Sequence, residues 1–188
     1  MKPGNKNSGF TLPELLIALG VLAILLSLAV PGVSSTIKEN RLAGTLNSVI
    51  TDIHFARSEA VKRDVRVIMC RSQNPNLPVP TCSGDAKNWT TGYIIFADDG
   101  NYTNDTYDNG TDILLRRGQA ATTGVNIRTN SRWDNDLEFN PNGTTNEDNQ
   151  MAFMAICDDR AKERGRSITV APTGIPKMKA TNIDTCFP

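Results

Sequence analysis

The sequence holds one histidine, His54, and no net charge, its twenty lysines and arginines balancing twenty aspartates and glutamates. With one histidine and four cysteines that form no Cys-x-x-Cys pair, a zinc site lacks its usual ligand spacing. There is no Gly-x-Ser-x-Gly turn for an activated serine and no Gly-Lys-Ser/Thr loop to cradle a phosphate, so neither acyl transfer nor nucleotide chemistry is signalled. His54 lies between Ile53 and Phe55 with no companion resembling a dyad or triad, and reads as a helix-surface or packing residue. No catalytic residue, metal or cofactor is expected, and the chain is not read as an enzyme. A neutral chain cannot hold polyanions by bulk charge, so any nucleic-acid contact has to be local. The oxygen-rich stretch from Asp98 to Asp112 offers many carboxylates and amides. No register in it gives the glycine turn and closing glutamate of a calcium loop, and it is read as solvated hairpin loops.

What the chain does contain starts at Gly9-Phe10-Thr11-Leu12-Pro13-Glu14, followed by the uncharged run Leu15–Val30 of Leu, Ile, Val and Ala with Gly20 and Ser27. Lys2 and Lys6 precede it. A secretory signal places its small-residue cleavage site after the apolar region, which is then discarded. Here the small residue, Gly9, comes first, so processing would leave the apolar segment on the mature chain, as a membrane segment kept for later use. Glu14 sits at the mouth of that run. A carboxylate at membrane depth costs at least a few kcal/mol and calls for a partner.

The hexapeptide resembles the class III signal of type IV pilins and pseudopilins. The resemblance implies that a prepilin peptidase cuts after Gly9 and N-methylates Phe10. It also implies that Glu14 pairs with the N-terminal amine of a neighbouring subunit, here Phe10, to set the register of assembly. Pro13 stands where an aliphatic residue is frequent, and a first helical turn tolerates it because the N–H groups there have no intrahelical partner.

Beyond Pro31 and Gly32 the apolar positions Ile37, Leu42, Leu46, Val49, Ile53, Ala56 and Ala60 fall mainly at alternating spacings of three and four, a helical stripe. Lys38, Glu39, Arg41, Asp52, Arg57, Glu59 and Lys62 populate the other faces. Pro31 removes a backbone bond and Gly32 weakens the same place, which predicts a kink or a locally melted turn. The segment Ala56-Arg57-Ser58-Glu59-Ala60-Val61-Lys62-Arg63 resembles the end of the first helix in the FimT/FimU and GspH group of minor pilins and pseudopilins. Short β-branched and aromatic runs follow, separated by turn residues: 65–69, 92–96, 112–116, 124–128, 137–139, 151–156 and 166–170. Cys82, Trp89, Gly92, Tyr93, Phe96 and Asp98 match a strand motif of that group, and Phe139, Gly143 and Cys157 match a second. The fold class expected is α+β, the type IV pilin fold. Its long N-terminal helix is transmembrane, then amphipathic, kinked near Pro31, and packed on antiparallel strands. Residues 1–9 would be a cleaved leader and 10–33 a transmembrane and filament-core helix. Residues 34–188 would form a periplasmic domain, with 34–63 its helix half and 64–188 its β-rich head.

Sequence clustering suggests the disulfides Cys70–Cys82 and Cys157–Cys186, out of three possible connectivities, in keeping with an oxidising periplasm. The C-terminal segment is locally basic, with Arg160, Lys162, Arg164, Arg166, Lys177 and Lys179. In the DNA-binding FimT branch a Gly-Arg-x-Arg motif after the last strand contacts DNA. The equivalent here reads Gly174-Ile175-Pro176-Lys177. Both arginines are absent, which weakens phosphate neutralisation. Lys177, Lys179 and Arg166 are the candidate DNA-binding residues that remain. Three functional expectations follow. The first is a minor pilin that primes type IV pilus assembly at or near the fibre tip. The second is a GspH-type pseudopilin of a type II secretion system, and the third a DNA-capturing pilin for natural transformation. The implied partners are the inner membrane, the prepilin peptidase, other minor pilins and the major pilin, with DNA in the third case. The implied location is the bacterial inner membrane, then the pilus at the cell surface.

Overall fold

A computed structural model describes residues 10–84, 87–99, 106–130, 136–145, 152–160 and 165–180, with only the backbone described at 28–32, 152, 179 and 180. One α-helix, α1 (Leu12–Arg63), is followed by eight strands: β1 (Arg66–Arg71), β2 (Tyr93–Asp98), β3 (Ile113–Gly118), β4 (Val125–Thr129), β5 (Asp136–Phe139), β6 (Ala152–Asp158), β7 (Arg166–Val170) and β8 (Pro176–Ala180). The first bond of α1 runs from the Leu15 N–H to the Thr11 carbonyl at 3.1 Å, which makes Thr11 the N-cap and puts Pro13 in the turn that lacks N–H partners. The backbone of α1 stays helical through Pro31 and Gly32, so no turn is melted there. Neighbouring helical bonds tolerate the one that proline removes. The helix stops at Asp64, whose φ of 57° is the left-handed cap that ends many helices.

The chain divides into two units, residues 1–39 and 40–188. In the first, every described side chain from Phe10 to Ser27 is exposed, among them Leu16, Ile17, Leu22 and Leu25. In the second, Leu42, Leu46, Val49, Ile53, Ala56 and Ala60 are buried as one stripe and share a core with the inner faces of two sheets. Their spacing of four, three, four, three and four keeps one helix face turned to that core. Ile37, in the first unit, is exposed.

Both sheets are antiparallel. One has the order β3-β2-β1-β5 and the other β4-β6-β7-β8. Val67, Met69, Tyr93, Ile95, Leu137 and Phe139 from the first sheet, and Val125, Ile127, Met154, Ile156, Ile168 and Val170 from the second, face the helix. The first sheet buries its other face too, through Ile68, Cys70, Ile94 and Phe96 with Cys82, Tyr107 and Leu114. Burial on both faces explains why β1 and β2 read as nearly continuous apolar runs with only loose alternation. The seven strand runs expected from the sequence are all present, with ends shifted by at most two residues. β8 was not expected as a strand. It begins with a proline and carries Lys177 and Lys179, which fits an edge strand whose outer backbone lacks a partner.

Candidate functional site

At the start of α1, Thr11 and Glu14 occupy the N-cap and third helical positions, the spacing of a capping box. The carboxylate lies in the first turn, where the unpaired N–H groups favour a negative charge. Phe10 is 83 % exposed. The apolar residues after Glu14 are exposed around the whole circumference of the helix as far as Ser27. A helix that is apolar all round needs an apolar environment, a bilayer or other helices. Among the described residues no helix is long and apolar enough to cross a membrane; the apolar run with described side chains ends at Ser27, short of the ~20 residues a span takes. Gly9, the expected cleavage position, lies outside the described residues.

In the second unit, polar groups tie the helix to the sheets. Asp52, read from the sequence as a solvent-facing residue, is buried. Its Oδ2 accepts the Tyr93 hydroxyl at 2.6 Å and its Oδ1 accepts Arg116 Nη1 at 2.5 Å. The Arg116 guanidinium also lies 3.9 Å from the centroid of the Phe55 ring, a cation–π contact. Burial, and then the Asp52 charge, push the Tyr93 hydroxyl far above its ordinary range, so it remains a donor. Arg66 on β1 joins Asp98 of β2 and Glu138 of β5. These charge-assisted bonds cross-link α1, β1, β2, β3 and β5.

The helix-end segment has a comparable role. Arg57 Nε donates to the Gly143 carbonyl at 2.9 Å. Glu59 is buried and accepts Arg63 at 2.6 Å, with Lys62 3.6 Å away. The Arg63 hydrogen bond holds its carboxyl below the ordinary value. Gly143 has φ 78° and Gly174 φ 74°, and a Cβ at Gly174 would overlap the Gly143 carbonyl and crowd Arg57. The helix end is thereby clasped to the turns that follow β5 and β7. Sequence reasoning listed Arg57 among the solvent-facing charges; the signal for its role was the pair of distant glycines, which only a fold can bring together.

The candidate DNA-binding residues are not gathered on one face. Arg166 pairs with Ile156, and Thr169 with Lys177, Ser167 with Lys179. Residues directly opposite in an antiparallel pair share a face, so Arg166 belongs with the core-facing Ile156 and Lys177 with the reverse face. Arg166 is half-buried, whereas Lys177 is exposed. Cys70 and Cys82 are disulfide-bonded. Cys157 is disulfide-bonded as well; the expected partner, Cys186, lies outside the described residues. His54 is exposed on α1. Among the described residues no group of three or more His, Cys, Asp or Glu side chains is placed to hold a metal ion.

A family model described as Type II transport protein GspH matches residues 45–174, and the prokaryotic N-terminal methylation motif matches residues 4–30. The structure is similar to that of the Pseudomonas aeruginosa type IV minor pilin FimU in two crystal forms. One aligns with a TM-score of 0.58 over 80 % of this chain and 98 % of that one, at 17 % identity. The other aligns with a TM-score of 0.55 over 78 % and 100 %, also at 17 % identity. At that identity the likeness shows a shared fold: a long N-terminal helix with antiparallel sheets. No curated protein sequence matches the chain.

Proposed function

The chain belongs to the GspH family and is a type IV minor pilin or pseudopilin, and from that premise we propose that it primes assembly of a type IV pilus and sits at or near the fibre tip. The observation that carries this reading is the first unit: an apolar surface around a whole helix, with Glu14 as the one carboxylate in its first turn and Phe10 exposed beside it. The prepilin peptidase cleaves after Gly9 and methylates Phe10. The helix then anchors the chain in the inner membrane with the C-terminal unit in the periplasm. Glu14 meets the Phe10 amine of an adjacent minor or major pilin, so that each subunit enters in one register. In a low-dielectric environment an unmatched carboxylate is costly, which is what makes the pairing selective.

The description of the matched family favours a second reading, a minor pseudopilin of a type II secretion system. Deleting the gene and scoring surface piliation, protein secretion and transformation side by side separates the readings. Loss of surface pili with secretion intact is expected, and Glu14→Leu should reproduce it. Loss of secretion alone would give the pseudopilin reading; loss of transformation in cells that still make pili would give the DNA-capture reading through Lys177 and Lys179.

A further inference from the structure

The connection between β1 and β2 runs over residues 72–92, and its first part, 72–84, is an irregular loop held from several sides. The Cys70–Cys82 disulfide closes its base. Arg71 donates to the Gly84 carbonyl at 2.5 Å, and Pro75 lies where a Cβ on Gly92 would have to go. Arg117 of β3 turns its guanidinium into the loop and donates to the carbonyls of Pro75, Leu77 and Pro78. One planar fork serving three main-chain carbonyls templates the backbone and removes acceptors that water would otherwise claim at the tip. Prolines at 75, 78 and 80 narrow the same segment further. At the tip, Leu77 is 51 % and Val79 45 % exposed. Antiparallel neighbours are usually joined by two to five residues, and longer ordered loops commonly carry function.

We infer that the Leu77-Pro78-Val79 tip is a docking knob that seats in an apolar depression on the head of a neighbouring pilin-fold subunit in the same filament. The inference rests on the assembly reading above. Two aliphatic side chains and a proline bury far less than the ~1,200 Å² of a stable freestanding interface, so the knob does not recruit a partner from solution. It becomes effective where another contact already holds the partner alongside at millimolar effective concentration. The exposed apolar segment of α1 supplies that contact. A tip already fixed by a disulfide and Arg117 loses little freedom on docking.

The test places a photo-crosslinking amino acid at Leu77, at Val79 and, as a reference, at Ile17 in the full-length chain in its own cells, and identifies adducts by mass spectrometry. Adducts to a pilin-like subunit from all three positions are expected. Adducts from Ile17 with none from Leu77 or Val79 would overturn the knob and leave the assembly reading standing. None from Ile17 would remove the assembly reading and the knob with it. In parallel, the exposed-site variant Leu77→Asp/Val79→Asp should keep its melting temperature while incorporation into filaments falls at least about tenfold. Undiminished incorporation would likewise overturn the proposal.

Discussion

Gly174 shows how much one residue can decide. Its φ is 74°, and any side chain there would meet the Gly143 carbonyl that Arg57 holds. Gly174→Ala therefore combines left-handed strain with loss of the clasp and should lower stability by roughly 3 kcal/mol, seen as an earlier midpoint in urea unfolding. Asp112 works in the opposite sense. Burial, together with the charges of Asp98 and Asp108, raises its carboxyl above the ordinary value of 3.8, even though it accepts the Asp108 N–H at 2.7 Å. A raised folded-state pKa means the native chain binds the proton more tightly, so stability falls as pH rises from the unfolded value through the folded one. Asp112→Asn keeps an acceptor and loses the charge; it should melt higher than the parent at pH 7, with the gap closing below about pH 4. Glu59 runs the other way: its carboxyl is lowered from 4.5, so what it contributes is present above that pH and fades as the medium is acidified. A Glu59→Gln variant should track the parent at low pH and fall behind it near neutrality.

Among the elements, the stripe of α1 and seven of the eight strands were legible because each signal is local: apolar residues three and four apart, or β-branched runs between turn residues. β8 was not, because its pattern of proline, lysine, methionine and lysine is that of a solvent-facing edge and contains no run to recognise. The loop after β1 depends on its disulfide in a way that can be measured. Cys70 and Cys82 are 12 apart in sequence, and a closed loop of that size restricts the unfolded chain by about 3 kcal/mol. The Cys70→Ser/Cys82→Ser double variant should lose stability on that scale in chemical denaturation and should free the 72–84 segment for proteolysis ahead of the core.

Across the whole molecule, the two units divide the labour. Among the described residues, the core that joins helix and sheets draws on those from Leu42 onward. A fragment starting near Asn40 should unfold cooperatively with a midpoint within ~3 °C of the full chain in detergent, while losing incorporation into filaments altogether. Calorimetry of the two forms, with filament fractionation, checks both halves of that statement.

The sequence by itself determined the opening segment, the α+β class and the family, since the order of small residue, aromatic, carboxylate and apolar run is linear information that needs no folding to be read. The tertiary structure alone decided which charges are structural. Asp52 reaches Tyr93 and Arg116 across distant elements, Arg57 meets Gly143, and β-sheet register puts Arg166 and Lys177 on opposite faces. Those outcomes depend on long-range pairing, where a shift of one residue reverses every face, and on no pattern within reach of the residue itself.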